Sequence, residues 1–266
     1  MSRFFIMISL FFACLGFGQG PETTEKQNIS EAKRLAKKFL RKQGIPGVSI
    51  SVSKKGNLIW SEGFGYAKRK PKVQIEADET LFRTASISKS ITAVALAKLV
   101  DDELINLDES IYSYLPDYPK KKYDFTVREL AGHLAGIRSY NGDEFTLNKK
   151  MSISEGVALF QNDSLLFEPS TQFYYNTFGY VLLSEIMQKV SETDFVSLVT
   201  TLVLDPLKMT NTMLDASDVD ILNRTNFYRK KRVLSTPVAN EYKVAGGGFL
   251  STSEDLIKFG HEVLSP

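Results

Sequence analysis

The run from Ile91 to Val100 constrains this chain more than any other stretch. Ile91, Ala93, Val94, Ala95, Leu96, Leu99 and Val100 place apolar side chains on nearly every face, which reads as a helix buried almost all round. Such a helix needs other elements packed around it. Its first turn is nevertheless polar, because Ser86, Ser88, Lys89 and Ser90 precede the apolar residues. Residues three apart on a helix share a face, so Ser86 and Lys89 meet one turn apart. A hydroxyl at the N-terminus of a buried helix, backed by an amine that burial holds near neutrality, is equipped for serine acyl transfer.

The spacing Ser-x-x-Lys occurs three times, at Ser30/Lys33, Ser51/Lys54 and Ser86/Lys89, and context separates them. Ser30 and Lys33 lie in 28–43, where Ile29, Ala32, Leu35, Ala36, Phe39 and Leu40 form one apolar stripe opposite many lysines, so Lys33 is solvated. Ser51 and Lys54 belong to an alternating strand pattern, and their side chains diverge. Only Ser86/Lys89 opens an apolar helix. The plainer reading of that pair is a serine cap with a surface lysine beside it.

With 266 residues, 43% of them hydrophobic, the chain buries a full core as one large domain or two subdomains. A net charge of +2, with acidic residues balancing basic ones along most of the chain, excludes a nucleic-acid binder. The short lysine runs 68–72 and 120–122 read as solvated loops. Two histidines and one cysteine cannot build a histidine- or cysteine-rich zinc site, so neither a metal nor an organic cofactor is expected. A Ser-His-Asp triad would have to use His133 or His261. His261 falls in a helix expected over 252–264, after the capping box Ser251-x-x-Glu254, and reads as partly exposed.

The start, Met1-Ser2-Arg3 followed by apolar residues to Phe17 and small residues Gly16 and Gly18, reads as a secretory signal peptide over 1–18. It is too short for a stable membrane span. The expected location is therefore periplasmic or secreted. Cys14 lies inside this segment, which leaves a mature chain without a disulfide. A lipid-anchored form through Cys14 is the less favoured alternative, because Leu15 and Phe17 continue the apolar run.

A polar tether follows at 19–27, and one domain is expected over 28–266. An amphipathic helix from Asn28 is stopped by Gly44-Ile45-Pro46-Gly47. Strands over 48–53 and 58–63 are joined by Lys54-Lys55-Gly56-Asn57, a hairpin signal. A charged loop over 67–80 leads to the Ser86 helix. From Thr126 to about Leu204 the pattern is mostly helical, clearest over 174–190. A glycine turn, Gly246-Gly247-Gly248, precedes a last helix. A two-stranded sheet does not stand alone in a domain of this size, so further strands are required.

Five motifs come in a diagnostic order: Ser86-Ile87-Ser88-Lys89, Leu130-Ala131-Gly132-His133-Leu134-Ala135-Gly136-Ile137, Tyr175-Asn176-Thr177-Phe178-Gly179-Tyr180, Asp205-Pro206-Leu207-Lys208-Met209-Thr210 and Ala245-Gly246-Gly247-Gly248-Phe249-Leu250-Ser251-Thr252. In this order they resemble the serine β-lactamase and penicillin-binding-protein superfamily, in its class C-related branch, over roughly residues 28 to 264. The resemblance implies an α+β fold (α/β in some schemes), an antiparallel sheet flanked by helices plus a helical subdomain. It implies that Ser86 is acylated, that Lys89 helps remove its proton and that a tyrosine carries protons. Tyr174-Tyr175-Asn176 satisfies the family's Tyr-x-Asn letters. Anchoring on Gly179-Tyr180 selects Tyr175-Asn176-Thr177 instead. With both tyrosines on one helix a one-residue shift is about 100° of rotation, and the downstream packing favours Tyr175. Thr177 then stands at the substrate-binding position where the family has asparagine. His133 matches a recurrent histidine beneath the site and reads as structural.

The family's third motif, Lys/His-Thr/Ser-Gly on an inner strand, is absent. The resemblance therefore implies that C-terminal strands pairing with the 48–63 hairpin, and a second oxyanion donor, are missing here. The expected function is an exported serine hydrolase forming an acyl-enzyme on a small-molecule or peptide amide or ester, peptidase or esterase in preference to a true β-lactamase. The alternative is a non-catalytic binding or scaffold protein, or an inactive truncated form, on the same fold. Oligomeric state is not legible.

Overall fold

Gly44, at φ +65°, ends a long helix and turns the chain into the first hairpin. The computed structural model describes residues 21–229 and 233–264. It places helix α1 at Pro21–Gln43, strand β1 at Gly47–Lys54 and β2 at Asn57–Arg69. The helix begins at Pro21 and not at Asn28, so residues 21–27 of the expected tether are helical. The signal-peptide segment, with Cys14, lies outside the described residues.

β1 and β2 pair antiparallel from Gly47↔Gly65 to Lys54↔Asn57, with a bulge between Val52 and Ser53. β2 runs well past the expected end at Gly63, and β3 (Lys72–Gln74) adds to its other edge. Half of the segment read as a charged loop is thus a second hairpin. Its charges are those of an exposed edge strand, where lysine discourages pairing with other chains. A Cβ at Gly63 would lie 1.9 Å from the Ile75 carbonyl oxygen, so only glycine lets the returning chain cross β2 here. No strand pairs with the outer edge of β1 among the described residues.

Side chains alternate across the sheet. Ser49 and Ser51 point to one face, where both hydroxyls meet Ser253 (2.6 and 2.7 Å) on helix α9 (Ser253–Leu264). Glu62 points to the other and pairs with Lys33 of α1 at 2.6 Å. The last helix begins at Ser253, and Thr252 caps it by accepting the Asp255 N–H at 3.2 Å. The Ser251 cap is therefore corrected by one residue: Ser251 is buried in a strand and bonds Thr212. His261 is exposed on this helix beside Gly56, remote from Ser86 in sequence and in the fold.

A second sheet joins β4 (Phe82–Arg83), β8 (Phe249–Ser251) and β5 (Met213–Leu214), with β8 central. A small ribbon pairs β6 (Tyr228–Arg229) with β7 (Val233–Leu234). The helical region comprises α2 (Ile87–Asp101), α3 (Ile111–Tyr114), α4 (Val127–Ala131), α5 (Ile153–Ala158), α6 (Phe178–Ser191), α7 (Phe195–Val199) and α8 (Val244–Gly247). α2 packs against α6, α7 and α8, with Ile91, Ala95, Leu99, Val181, Leu182 and Ile186 in one continuous core. The expectation that α2 is buried nearly all round needs correction, because Ala93, Ala97 and Lys98 are exposed. Alanine favours helix wherever it sits and is a poor marker of burial. The architecture is the α+β arrangement of antiparallel sheets flanked by helices. No helix among the described residues is long and apolar enough to cross a membrane.

Candidate active site

The turn that carries Ser86 is fixed by strand β8. Thr84 donates its N–H to the Phe249 carbonyl at 2.9 Å, and Ser88 Oγ accepts the Phe249 N–H at 3.3 Å. Thr84 and Ser88 bond each other at 2.9 Å, both buried. Ala85, between strand and helix, adopts φ +46°, a conformation few non-glycine residues take. The chain then enters α2 with Ser86 at the N-cap, its side chain exposed and uncommitted to capping. Its backbone N–H stands at the positive end of a four-turn helix.

Lys89, one turn on, is 5% exposed. Its ammonium donates to the Gly246 carbonyl at 2.7 Å and to Thr177 Oγ1 at 3.4 Å. It lies 4.9 Å from the Tyr175 ring centroid and 5.4 Å from that of Tyr180. No ion pair reaches it among the described residues. Burial pushes the Lys89 pKa down, against the raising effect of the Tyr175 hydroxyl. Gly246 makes the approach feasible, since a Cβ there would sit 2.4 Å from Thr177 Cγ2.

Tyr174, Tyr175 and Asn176 precede α6 in irregular chain, so the expected helix over 174–190 starts only at Phe178. The 100° argument between the tyrosines does not hold. Their separation comes from non-helical backbone, in which successive side chains diverge. Tyr175 turns to Ser86 and Lys89. Burial raises its pKa, but hydrogen bonds with Ser86 and Lys89 and the lysine charge outweigh this, and the net direction is down. Tyr174 is tied by its backbone, donating to His133 O at 3.0 Å and accepting from Asn176 Nδ2 at 2.9 Å.

Asn176 is buried, and its Oδ1 accepts the Gly179 N–H at 2.6 Å, so it closes the first turn of α6. Thr177 instead reaches the site, accepting from Lys89 at 3.4 Å and lining the same cavity as Tyr140, whose phenol burial pushes up to about 12. His133 lies beneath, at φ +62°, with its ring 4.6 Å from Tyr175 and 5.4 Å from Tyr180. Burial, and then the Lys89 charge, push its pKa down, and Nδ1 is buried without a partner. It supports Tyr175 as a neutral ring.

A cavity of about 400 Å³ opens beside Ser86, bounded by Thr177, Gly246, Tyr140, Phe145, Arg83 and Lys243. The last four were not singled out from the sequence. No group of three or more histidine, cysteine, aspartate or glutamate side chains capable of holding a metal occurs among the described residues.

An exposed serine at a helix start, a buried lysine one turn on and a tyrosine ring 4.9 Å from that lysine define a serine-hydrolase arrangement. A profile of the Beta-lactamase family matches residues 32–266, and the chain belongs to that family of serine hydrolases. It is 34% identical over 310 aligned positions to the human mitochondrial serine beta-lactamase-like protein LACTB, covering 89% of this chain and 56% of that protein. Among solved structures, the octameric penicillin-binding protein homologue from Pyrococcus abyssi superposes with TM-score 0.76 at 26% identity, over 88% of this chain and 56% of that one. A class C beta-lactamase shares the fold, with TM-score 0.76 at 20% identity, over 91% and 65% of the two chains. The chain spans about half the length of the curated relatives it matches.

Proposed function

We infer that this chain is an exported serine hydrolase that cleaves amides or esters through an acyl-enzyme on Ser86. The observation that carries the reading is the state of Lys89: a buried amine with no carboxylate partner among the described residues, one helical turn from an exposed hydroxyl. Burial that lowers the lysine pKa provides a base. Ser86 Oγ loses its proton to Lys89, directly or across the Tyr175 hydroxyl, and bonds to the substrate carbonyl carbon. The developing oxyanion faces the Ser86 N–H at the positive end of α2. The proton returns through Tyr175 to the leaving amine or alkoxide as the carbon–heteroatom bond breaks. A water then repeats the sequence, releasing the acid and restoring Ser86.

Peptidase or esterase action is favoured over β-lactamase action. The asparagine of the Tyr175-Asn176-Thr177 run is committed to Gly179, which leaves Thr177 to face the substrate. A threonine hydroxyl already engaged by Lys89 is a weaker partner for a substrate amide than a free carboxamide.

A fluorophosphonate probe applied to the protein should add its mass to the peptide carrying Ser86, and Ser86→Ala should abolish the adduct. Labelling that survives this substitution refutes the assignment. N-terminal sequencing of the protein recovered from its host tests export, with a start near residue 19 expected.

A further inference from the structure

The two sides of Ser86 differ in kind. The cavity side carries Arg83, Arg229 and Lys243. The side towards Tyr175 is built from residues 84–88, 130–137 and 169–184, which contain no aspartate, glutamate, lysine or arginine. Large apolar side chains stand exposed along it. Ile87, the residue after Ser86, is 44% exposed, Tyr175 49%, Tyr174 40% and Phe173 66%. Singly exposed apolar residues are ordinary on any protein. Here they are contiguous. The Tyr175 ring lies 4.6 Å from the His133 ring, and Phe173 meets that same ring edge-on at 5.8 Å. Tyr174 is tied to the His133 carbonyl through its N–H at 3.0 Å. His133 therefore anchors an aromatic strip that leads away from Ser86 and stays open to solvent.

The position of that strip decides which part of a substrate meets it. When the acyl-enzyme forms, the proton returns through Tyr175 to the leaving atom, so the leaving group must lie against Tyr175. Whatever that group carries beyond its heteroatom runs over Tyr174, Phe173 and Ile87. The strip has no charge with which to pair an ionic group. Removing its apolar surface from water is favourable, and a carbon chain or ring does so without stranding a polar atom.

We propose that the leaving part of the substrate is an apolar alcohol or amine, whose carbon chain or ring lies along Tyr175, Tyr174, Phe173 and Ile87. The proposal rests on the serine-hydrolase reading for turnover, not for binding of the apolar group. Phe173 and Tyr174 then act as specificity residues and take no part in the chemical steps.

Ethyl, butyl and hexyl acetate share one acyl group and release alcohols of nearly equal acidity, so differences among them report contact with the chain. A fully buried methylene adds about fourfold to binding, and on a strip open to solvent about twofold is expected. From ethyl to hexyl acetate kcat/KM should rise by about 10–20-fold, through a lower KM at nearly constant kcat. Phe173→Ser should reduce that rise to a few-fold, and Phe173→Leu should keep more of it. Leu58→Ser removes a side chain of similar exposure from β2 and should leave the rise intact. Should Phe173→Ser melt early, Tyr174→Ser should still reduce the rise. A flat series in the unmodified protein, or a rise that Phe173→Ser and Tyr174→Ser both retain, overturns the proposal. If Ser86→Ala leaves ester turnover untouched, the hydrolase reading fails, and fluorescence titration with the uncharged probe N-phenyl-1-naphthylamine decides the strip alone. The same titration decides it if none of the acetates is cleaved. Saturable binding that Phe173→Ser weakens and Leu58→Ser does not sustains the strip. Binding that Phe173→Ser leaves unchanged, or no saturable binding, overturns it.

Discussion

Removing the Asn176 carboxamide separates a helix cap from a substrate-binding residue. Its Oδ1 takes the Gly179 N–H at 2.6 Å, and its Nδ2 donates to the Tyr174 carbonyl at 2.9 Å, all in a buried position. Asn176→Ala deletes both bonds and strands the Gly179 N–H. Loss of a cap costs ~0.5–2 kcal/mol, and a buried donor left unmade costs ~1–3 kcal/mol. These overlap, so ~2 kcal/mol is expected in all, a melting temperature lower by about 4–8 °C for a protein of this size. Asn176→Asp keeps an acceptor for Gly179 at the positive end of α6 and loses only the donor, so it should fall less. Asn176 does not line the cavity. Well below melting, Asn176→Ala should therefore hold kcat/KM on p-nitrophenyl butyrate within a few-fold. Paired thermal melts and kinetics decide the matter. A hundredfold loss of kcat/KM with an unchanged melting temperature would show that the carboxamide faces substrate, and the cap argument would be wrong.

Tyr175→Phe should cut turnover by about 10²–10⁴, the usual worth of a positioned proton carrier, while Tyr174→Phe stays within a few-fold because Tyr174 is held through its backbone. The reverse order in steady-state kinetics would reassign the catalytic hydroxyl. The acid limb of kcat/KM should titrate below the range of a free lysine, because burial depresses Lys89 and only its neutral form accepts the serine proton, so activity is lost as pH falls through that value. Tyr175 raises the lysine pKa, so the residual activity of Tyr175→Phe should show this limb moved to lower pH, and movement to higher pH would contradict the coupling.

The parts of this protein that local rules govern were legible, and the parts that depend on distant chain were not. Ser86 and Lys89 stand one turn apart on a helix whose start the polar residues mark, so their meeting follows from helix geometry alone. The structure sets Tyr175 beside Lys89, but the rotation argued for choosing it does not apply. The letters around Gly179 were in register, but the tyrosines stand outside the helix from which rotation was argued. Asn176 ends the irregular stretch by capping, a role that Asn plays at many helix starts and that the Tyr-x-Asn letters obscured. Strand β3 was hidden because an exposed three-residue edge strand set among charged residues has the composition of a loop.

The charged residues around the cavity beside Ser86 share no local signature in the sequence. Arg83, Arg224 and Asp215 are scattered along the chain, and β8 and the loop after β5 bring them together. Nothing next to Lys243 in sequence says that Phe145 and Tyr140 will cover it. The two buried lysines are what tie fold to chemistry here. Each lies within hydrogen-bond reach of a backbone carbonyl, Gly246 for Lys89 and Phe145 for Lys243, and neither forms an ion pair among the described residues. A carbonyl holds an ammonium in place without supplying the full charge that would fix its protonation. On one side of Ser86 this leaves a lysine able to accept a proton. On the other it holds Lys243 against the rings of Tyr140, Phe145 and Tyr242, so the same packing rule buries both amines.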